Sequence, residues 1–312
     1  MFEKSKAKRW TKKMLRQDTS KLTPVDRSVF THKSDEIALA ALQKIPFFDK
    51  ICSKFIAWFN EPLFRITDMS TKIRITEKQL PKVYNMVKNI CGKLNIEMPS
   101  LFLKLDRIPN AYTYGNESAT ITITTGLLEC MEDDELYAVL AHECGHIVCH
   151  HVLYHTMGLL LLNTGLVGAS LLDNTGWITQ AISIPLKLAF YHWMRCSEFS
   201  ADRAAVLCCE NADPVVETMM RLAGGTTHID SEINKELFIQ QANEYNEMID
   251  ESKINKAMEF FLINDSSHPL LSVRASEAVK WAESPEFTNA LVTLHTVPTT
   301  PLLAETVSVD TE

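Results

Sequence analysis

The feature that most constrains this chain is a helix-forming segment that carries two histidines four positions apart, His142 and His146. Apolar residues around them recur at helical spacing, and the acidic run 132–135 precedes them, where negative charge stabilises a helix N-terminus. Residues four apart lie on one face of a helix, so both imidazoles can reach one metal ion at about 2.0–2.1 Å. The sequence therefore predicts a helix that supplies two ligands to a single Zn2+ ion per chain.

A glutamate, Glu143, follows the first histidine and completes an HExxH motif. A carboxylate in this position can take a proton from a zinc-activated water and deliver it to a leaving amine, which is the chemistry of peptide-bond hydrolysis. The chain has ten histidines, and such a motif arises by chance in roughly a few per hundred sequences of this kind. The interpretation therefore depends on a third ligand.

A third histidine of the metzincin kind is excluded, because Cys149 and Val152 stand where that pattern has glycine and histidine. His150 and His151 are either alternative ligands or polar residues on other faces of the helix, and we favour the second interpretation. A glutamate from another helix remains as the third ligand.

Glu198 lies in a predicted helix over residues 195–210 and can complete a three-ligand site with an open fourth position. Asp202 follows one turn later on the same face, where it can accept the free N–H of a zinc-bound histidine. Alone, this segment would be interpreted as a solvated helix face. Paired with the upstream HExxH motif, it predicts Glu198 as the third metal ligand.

These residues resemble the zinc metallopeptidases of the HtpX, Oma and CAAX prenyl protease type, which are gluzincins. The resemblance covers about residues 80–280 and is stronger to the soluble or peripheral bacterial-type members. It implies an α+β, mainly helical fold, with a zincin-like catalytic domain, a small sheet and an HExxH helix. The matching motifs are the HExxH segment, Glu198 with Ala201 and Asp202, Asn110-Ala111, Gly126-Leu127-Leu128, His268-Pro269 and Arg274.

The resemblance also implies roles for residues that the pattern alone leaves unassigned. His268 would stabilise the developing oxyanion beside the zinc, and Arg274 would brace the site. Residues 110–124 would offer an edge strand on which an extended substrate lies. The predicted substrate-binding residues are Asn110, Ala111, Thr122, Ile123 and Thr124.

The function that follows is a zinc-dependent endopeptidase that hydrolyses unfolded or flexible polypeptides, with Glu143 as general base and a role in protein quality control. The alternative is a zinc-stabilised, chaperone-like polypeptide-binding module with little or no cleavage. A third interpretation, an intramembrane protease, depends on the apolar segments between the two metal motifs.

Those segments, residues 157–172 and 177–193, are predicted to form an apolar helical hairpin within residues 153–194. A spanning helix needs roughly 20 apolar residues, and the first segment is shorter and contains Asn163, while the second contains Lys187. Buried core helices are favoured over a membrane hairpin, and the sequence leaves both open.

The rest of the chain is predicted to be helical apart from strands between residues 99 and 125, where the apolar period changes to two. The catalytic domain is expected over residues 36–283, after a flexible basic arm and before a flexible tail. The arm covers residues 1–35 and the tail 284–312. Further helices are predicted at 36–60 with a break at Pro46, 77–94, 213–222, 232–263 and 273–283.

Composition and charge set the remaining expectations. A net charge of -8 and a pI near 5.7 argue against nucleic acid as a partner. The eight cysteines form no CxxC pair, and no apolar stretch of signal-peptide length follows the basic arm, which together favour a cytoplasmic protein. The arm is interpreted as a solvated tail, with peripheral contact to the cytoplasmic face of a membrane as the alternative. The sequence does not indicate an oligomeric state.

Overall fold

Of the 312 residues, the computed structural model describes 23, 25–45, 48–58, 61–163, 176–225, 229, 232–251 and 270–296. In this part of the chain the fold is α+β and mainly helical, as predicted, with a small mixed sheet. A 3-10 helix, Arg27–Val29, comes first. The α-helices that follow are α1 (Lys33–Gln43), α2 (Phe48–Trp58), α3 (Glu61–Thr71), α4 (Pro81–Leu94), α5 (Thr125–Cys130), α6 (Asp133–Val148), α7 (Val152–Asn163), α8 (Gly176–Cys209), α9 (Asp213–Ala223), α10 (Lys235–Asp250), α11 (Leu271–Ala282) and α12 (Pro285–His295).

The sheet contains four strands in the order β1-β2-β4-β3. β2 and β4 are parallel, and the two outer pairings are antiparallel. The alternating residues 101–104 and 120–124 form β2 and β4, whereas alternation indicated neither β3 nor the two-residue strand β1. β3 therefore lies at an edge, and β4 is paired on both sides. The strands are β1 (Ile73–Arg74), β2 (Ser100–Lys104), β3 (Ala111–Gly115) and β4 (Ala119–Thr124).

The main hydrophobic core surrounds α6, which carries the HExxH motif. One face of the sheet, α4, the C-terminal half of α8, α9, α11 and α12 all contribute buried side chains to it. The acidic residues predicted for the helix N-terminus form a capping box, in which Glu135 accepts from the backbone N–H of Glu132 at 2.8 Å. The metal-binding segment is thus a central, buried helix whose ends are fixed by hydrogen bonds.

A second apolar cluster joins α1, α2, α7 and the N-terminal half of α8. It contains the described ends of the predicted apolar hairpin, including Met157, Phe190 and Trp193, all at most 1% exposed. Residues 164–175 of that predicted hairpin lie outside the described residues. Its second helix does not stop at residue 194, because α8 runs on unbroken to Cys209. Among the described residues, none of the helices combines the length and the apolar character that a membrane crossing requires.

The folded part extends past both predicted domain boundaries. Within residues 25–35, assigned to a flexible arm, Phe30 and Asp35 are buried. Within the predicted tail, α12 buries Phe287 and Leu294 in the main core. These short segments have little periodicity of their own, and contacts with distant parts of the chain order them. Residues 1–22 and 297–312, the remainder of the arm and tail, lie outside the described residues.

Candidate active site

The site forms where α6 and α8 approach each other most closely, at Gly145. A Cβ atom at this position would lie 2.9 Å from the Cα atom of Ala201 on α8, which is closer than real side chains tolerate. Glycine therefore allows the two backbones to come together. This approach brings Glu198 of α8 to the face of α6 that carries the two motif histidines.

Three side-chain groups converge at this crossing. His142 Nε2 and His146 Nε2 lie 3.1 Å apart, and they lie 3.4 Å and 3.3 Å from carboxylate oxygens of Glu198. A tetrahedral zinc ion with ligand distances of about 2.0–2.1 Å separates its ligand atoms by about 3.3 Å. All three side chains are buried. The identity, spacing and burial of these donors fit a zinc ion.

Asp202 and Arg274 support the His142 side of the site. His142 Nδ1 lies 2.8 Å from Asp202 Oδ1, so the imidazole can donate there while Nε2 faces the metal position. Arg274 donates to both oxygens of Asp202, at 2.7 Å and 2.6 Å, and its Nη1 lies 2.9 Å from Glu198 Oε2. The Arg274 guanidinium therefore links Glu198, the third predicted ligand, to Asp202, whose carboxylate orients His142.

The charges at this crossing shift the pKa values of the buried groups. Burial lowers the pKa of His142, but the carboxylates of Glu198 and Asp202 outweigh burial and raise that pKa to about 10. Burial lowers the pKa of His146 and prevails there. For Asp202, burial raises the pKa, and Arg274 outweighs it, so the pKa is lowered. Without metal, His142 is thus the imidazole that holds a proton, and metal binding must displace it.

Glu143 is 1% exposed and lies beside the three donors. Thr113 of β3 donates its hydroxyl to Glu143 Oε2 at 2.6 Å. This contact joins the edge strand to the HExxH helix and holds the carboxylate in one orientation. Thr113 was not among the predicted site residues, and it lies outside the alternating residues 101–104 and 120–124 that indicated strands.

His151 also reaches the site, although its sequence position indicated another face of the helix. His150 adopts a left-handed backbone conformation with φ of 60°, and the backbone N–H of His151 donates to the carbonyl of His146 at 2.9 Å. This helix ending turns the chain back under the motif. His151 Nδ1 consequently lies 3.0 Å from His146 Nδ1.

The predicted substrate-binding residues separate into two groups. Asn110 and Ala111 line a cavity of about 170 Å³ beside His142 and Glu143. Thr122, Ile123 and Thr124 lie on β4, which is paired with β2 and β3, and each is at most 2% exposed. The edge strand on this side of the sheet is therefore β3, because sheet order, which alternation does not reveal, places β4 inside.

The predicted oxyanion residue His268 and its neighbour Pro269 lie outside the described residues. Arg274, six residues later in the chain, is described and contacts the site from the first turn of α11. Its predicted bracing role has a clear geometric counterpart in the contacts with Asp202 and Glu198.

A buried set of two histidines and a glutamate, with a second glutamate beside it, has the donors of a zincin-like metallohydrolase. Residues 77–282 match the family described as Peptidase family M48. The chain belongs to this family, as the sequence motifs indicated, and it is a metalloprotease that acts on polypeptides. Family membership also implies a metal cofactor.

Named relatives agree with this assignment. The plastoglobule-localized metallopeptidase 48, chloroplastic, of Arabidopsis thaliana is 29% identical over 269 residues, which are 86% of this chain and 76% of that protein. The protease HtpX homolog of Trichormus variabilis is 28% identical over 156 residues, 48% of each chain. The HtpX homolog of Ralstonia nicotianae is 30% identical over 105 residues, 33% of this chain and 36% of that protein. The chain thus spans less than half the length of these two bacterial relatives. No solved structure matches it.

Proposed function

We propose that the chain is a zinc-dependent endopeptidase, with His142, His146 and Glu198 as zinc ligands and Glu143 as general base. The observation that carries this proposal is the convergence of three buried donors at 3.1–3.4 Å from one another. This spacing suits a tetrahedral zinc ion with one position left open. A site with only three protein ligands is the arrangement of catalytic rather than structural zinc.

Each residue around the metal position has a separate role in the proposed hydrolysis. When bound, zinc lowers the pKa of a water molecule toward about 7 and polarises the scissile carbonyl. Glu143 would accept a proton from the attacking water and deliver it to the leaving amine. Thr113 keeps the Glu143 carboxylate in position through its 2.6 Å hydrogen bond. His268 would stabilise the oxyanion, and Arg274 holds Glu198 and Asp202 in place.

The proposed substrates are unfolded or flexible polypeptides. β3 is an edge strand next to Glu143, and an extended peptide can add to such an edge through backbone hydrogen bonds. The cavity beside His142 is lined by apolar side chains, among them Val139, Met219 and Leu222. It suits one apolar side chain of the substrate. Recognition of backbone plus one apolar residue fits quality control of damaged proteins.

The proposal includes peripheral contact with the cytoplasmic face of a membrane. Leu63, Ile66 and Met69 of α3 recur every three residues and are 56%, 64% and 54% exposed. An apolar stripe of this kind can enter a lipid headgroup layer. Co-sedimentation with vesicles that contain anionic lipid measures the contact. If changing all three residues to serine leaves the bound fraction unchanged, the stripe plays no part.

The first experiment measures zinc content and casein cleavage on the same purified preparations. Glu143→Gln should retain one zinc and lose cleavage by about 10²–10⁴-fold, because only the proton acceptor is removed. Glu198→Ala should lose zinc. Glu135→Gln is the matched control, since it also changes a buried glutamate of α6, and it should keep both zinc and cleavage.

The alternative function, a chaperone-like binding module, makes the opposite prediction. The wild type would then bind zinc and casein without any cleavage that a chelator abolishes. If Glu143→Gln cleaves casein as fast as Glu135→Gln does, the general-base assignment is wrong.

A further inference from the structure

The two ligand histidines are supported by different groups, and the support of His146 comes from a distant part of the chain. His146 directs Nε2 toward His142 and Glu198. Its other nitrogen, Nδ1, faces Nδ1 of His151 at 3.0 Å. On the far side of that ring, His151 Nε2 lies 2.9 Å from Asp35 Oδ2. Asp35 is a residue of α1, and it precedes the segment 77–282 that matches the family.

The direction of these hydrogen bonds follows from the metal position. If His146 binds zinc through Nε2, its Nδ1 carries the proton and must donate. His151 Nδ1 then accepts, which leaves the proton of His151 on Nε2, where it is donated to Asp35. Each neutral imidazole has one donor and one acceptor nitrogen, so the contacts are satisfied in one direction only. The carboxylate fixes the ring of His151, and that ring fixes His146.

Asp35 is itself held firmly. It is 2% exposed, and Ser200 Oγ donates to Oδ2 at 2.6 Å while Trp193 Nε1 donates to Oδ1 at 3.0 Å. Ser200 and Trp193 lie seven residues apart on α8, so they occupy the same face, against which α1 packs. The backbone N–H of His32 donates to Ser200 Oγ at 2.9 Å, which fixes the start of α1.

We propose that Asp35 and His151 are positioning residues for the zinc ligand His146, and that α1 thereby controls how tightly the site holds its metal. The inference rests on the proposed zinc ligands. It assigns a role in metal binding to α1, which also contributes Ala38 and Leu42 to the second apolar cluster.

A competing interpretation is a second metal site, because His146, His151 and His155 also bring three nitrogens close together. The placement of His146 favours the positioning role. Its Nε2 faces His142 and Glu198, so a second metal ion would have to bind the same ring through Nδ1. An imidazole that binds two metal ions has lost both ring protons, whereas a neutral imidazole keeps one and can donate it to His151.

The test measures the rate at which the zinc-loaded full chain releases zinc to a chelator. Asp35→Asn replaces an acceptor of three donors with an amide that cannot accept from all of them, and His151→Gln removes the ring that joins Asp35 to His146. Each change should speed zinc release by about 10–100-fold, the usual effect of losing such a partner. Because both interrupt one chain of bonds, the double variant should release zinc no faster than the faster single variant.

Tyr137→Phe is the matched control, since it removes a different buried hydrogen bond of α6, the one of 2.6 Å from Tyr137 to Asn89. It should lower the unfolding temperature and leave zinc release unchanged. As a second readout, the visible absorption bands of the Co2+-substituted chain should shift in Asp35→Asn and His151→Gln, because ligand orientation changes, and remain unaltered in Tyr137→Phe.

Three results would overturn the inference. If Asp35→Asn and His151→Gln release zinc at the wild-type rate and only lower the unfolding temperature, the contacts are merely structural. If the wild type holds two zinc ions and His155→Ala removes one, His151 is a ligand of a second site. A wild type that holds no zinc contradicts the proposed function as well, whereas unchanged release from a zinc-loaded chain contradicts this inference alone.

Discussion

His142 and His146 lie one turn apart on the same helix, yet their surroundings differ in charge and in origin. His142 faces a carboxylate directly, and Arg274 holds that carboxylate at 2.6–2.7 Å. His146 faces a second imidazole, and the nearest carboxylate on that side, Asp35, lies beyond it. The pKa of His142 is raised, whereas burial lowers the pKa of His146. The two histidines on this helix are thus oriented differently: a carboxylate contacts His142 directly, whereas a second imidazole contacts His146.

This difference shows which parts of the chain supply the groups that orient His142 and which supply those that orient His146. Asp202 lies one turn from Glu198 on α8, so a single helix supplies a ligand and the partner of another ligand. The support of His146 requires the left-handed turn at His150 and the docking of α1 onto α8. Both arrangements need packing between distant segments, since His142 and Asp202 lie 60 positions apart. The first lies inside the segment that matches the family, whereas the second draws on Asp35, which lies outside it.

The largest effect is expected from removing Arg274. Arg274→Ala leaves the buried carboxylates of Glu198 and Asp202 without their shared cation, which should lower the free energy of unfolding by about 3–5 kcal/mol. It should also speed zinc release, because the His142 side loses its brace. Chemical denaturation and zinc release to a chelator measure the two effects.

Arg221→Ala is the control for this change, because Arg221 pairs with Glu135 of α6 at 2.9 Å and its side chain is similarly buried, 7% against 6%. Both variants should lose stability, and only Arg274→Ala should lose zinc faster. Equal zinc release from the two would mean that Arg274 stabilises the fold without supporting His142.

An intermediate effect is expected at Thr113, which touches the general base and neither histidine. Thr113→Val keeps the shape of the side chain and removes its hydrogen bond to Glu143, a loss of about 1.5–3 kcal/mol for a bond to a charged group. Casein cleavage should slow by about 10–100-fold at unchanged zinc release. Thr120→Val is the control, since Thr120 pairs with Tyr114 on the opposite face of the sheet. Faster zinc release from Thr113→Val would show that the base and the ligands are not independent.

The smallest expected effect concerns the number of protons released on zinc binding, to which His142 and His146 should contribute differently. At about pH 7.5, above the ordinary pKa of an imidazole, the zinc-free chain should carry a proton on His142, whose pKa is raised to about 10, and almost none on His146, whose pKa is lowered. Zinc binding should therefore release about one proton rather than two. The His142 contribution should fall to about half as the pH reaches about 10, where half of that imidazole is already neutral. Calorimetry in buffers of different ionisation enthalpy gives the count, and a value of two would refute the asymmetry.

The pattern of residues was sufficient to predict the central helix and to propose the metal ligands. HExxH spacing and the capping acids act within a few positions, so periodicity predicted α6 without knowledge of the rest. Glu198 and Asp202 share a helix face for the same reason. The structure brings both next to the two histidines, and the α+β, mainly helical fold class is confirmed. The pattern gave no sign that Phe30 and Leu294, outside the predicted domain, are buried, because their burial depends on distant partners.

What the sequence by itself determined is therefore the chemistry of the site: which side chains can bind a metal, which can move a proton, and which helices carry them. Only the tertiary structure decided that β3 rather than β4 lies at the edge of the sheet, that Thr113 holds Glu143, and that Asp35 reaches His146 through His151. Helical spacing is a property of neighbouring residues, so it can be read along the chain. Strand order and the contact between Asp35 and His151, which lie 116 positions apart, arise only when distant segments pack against one another.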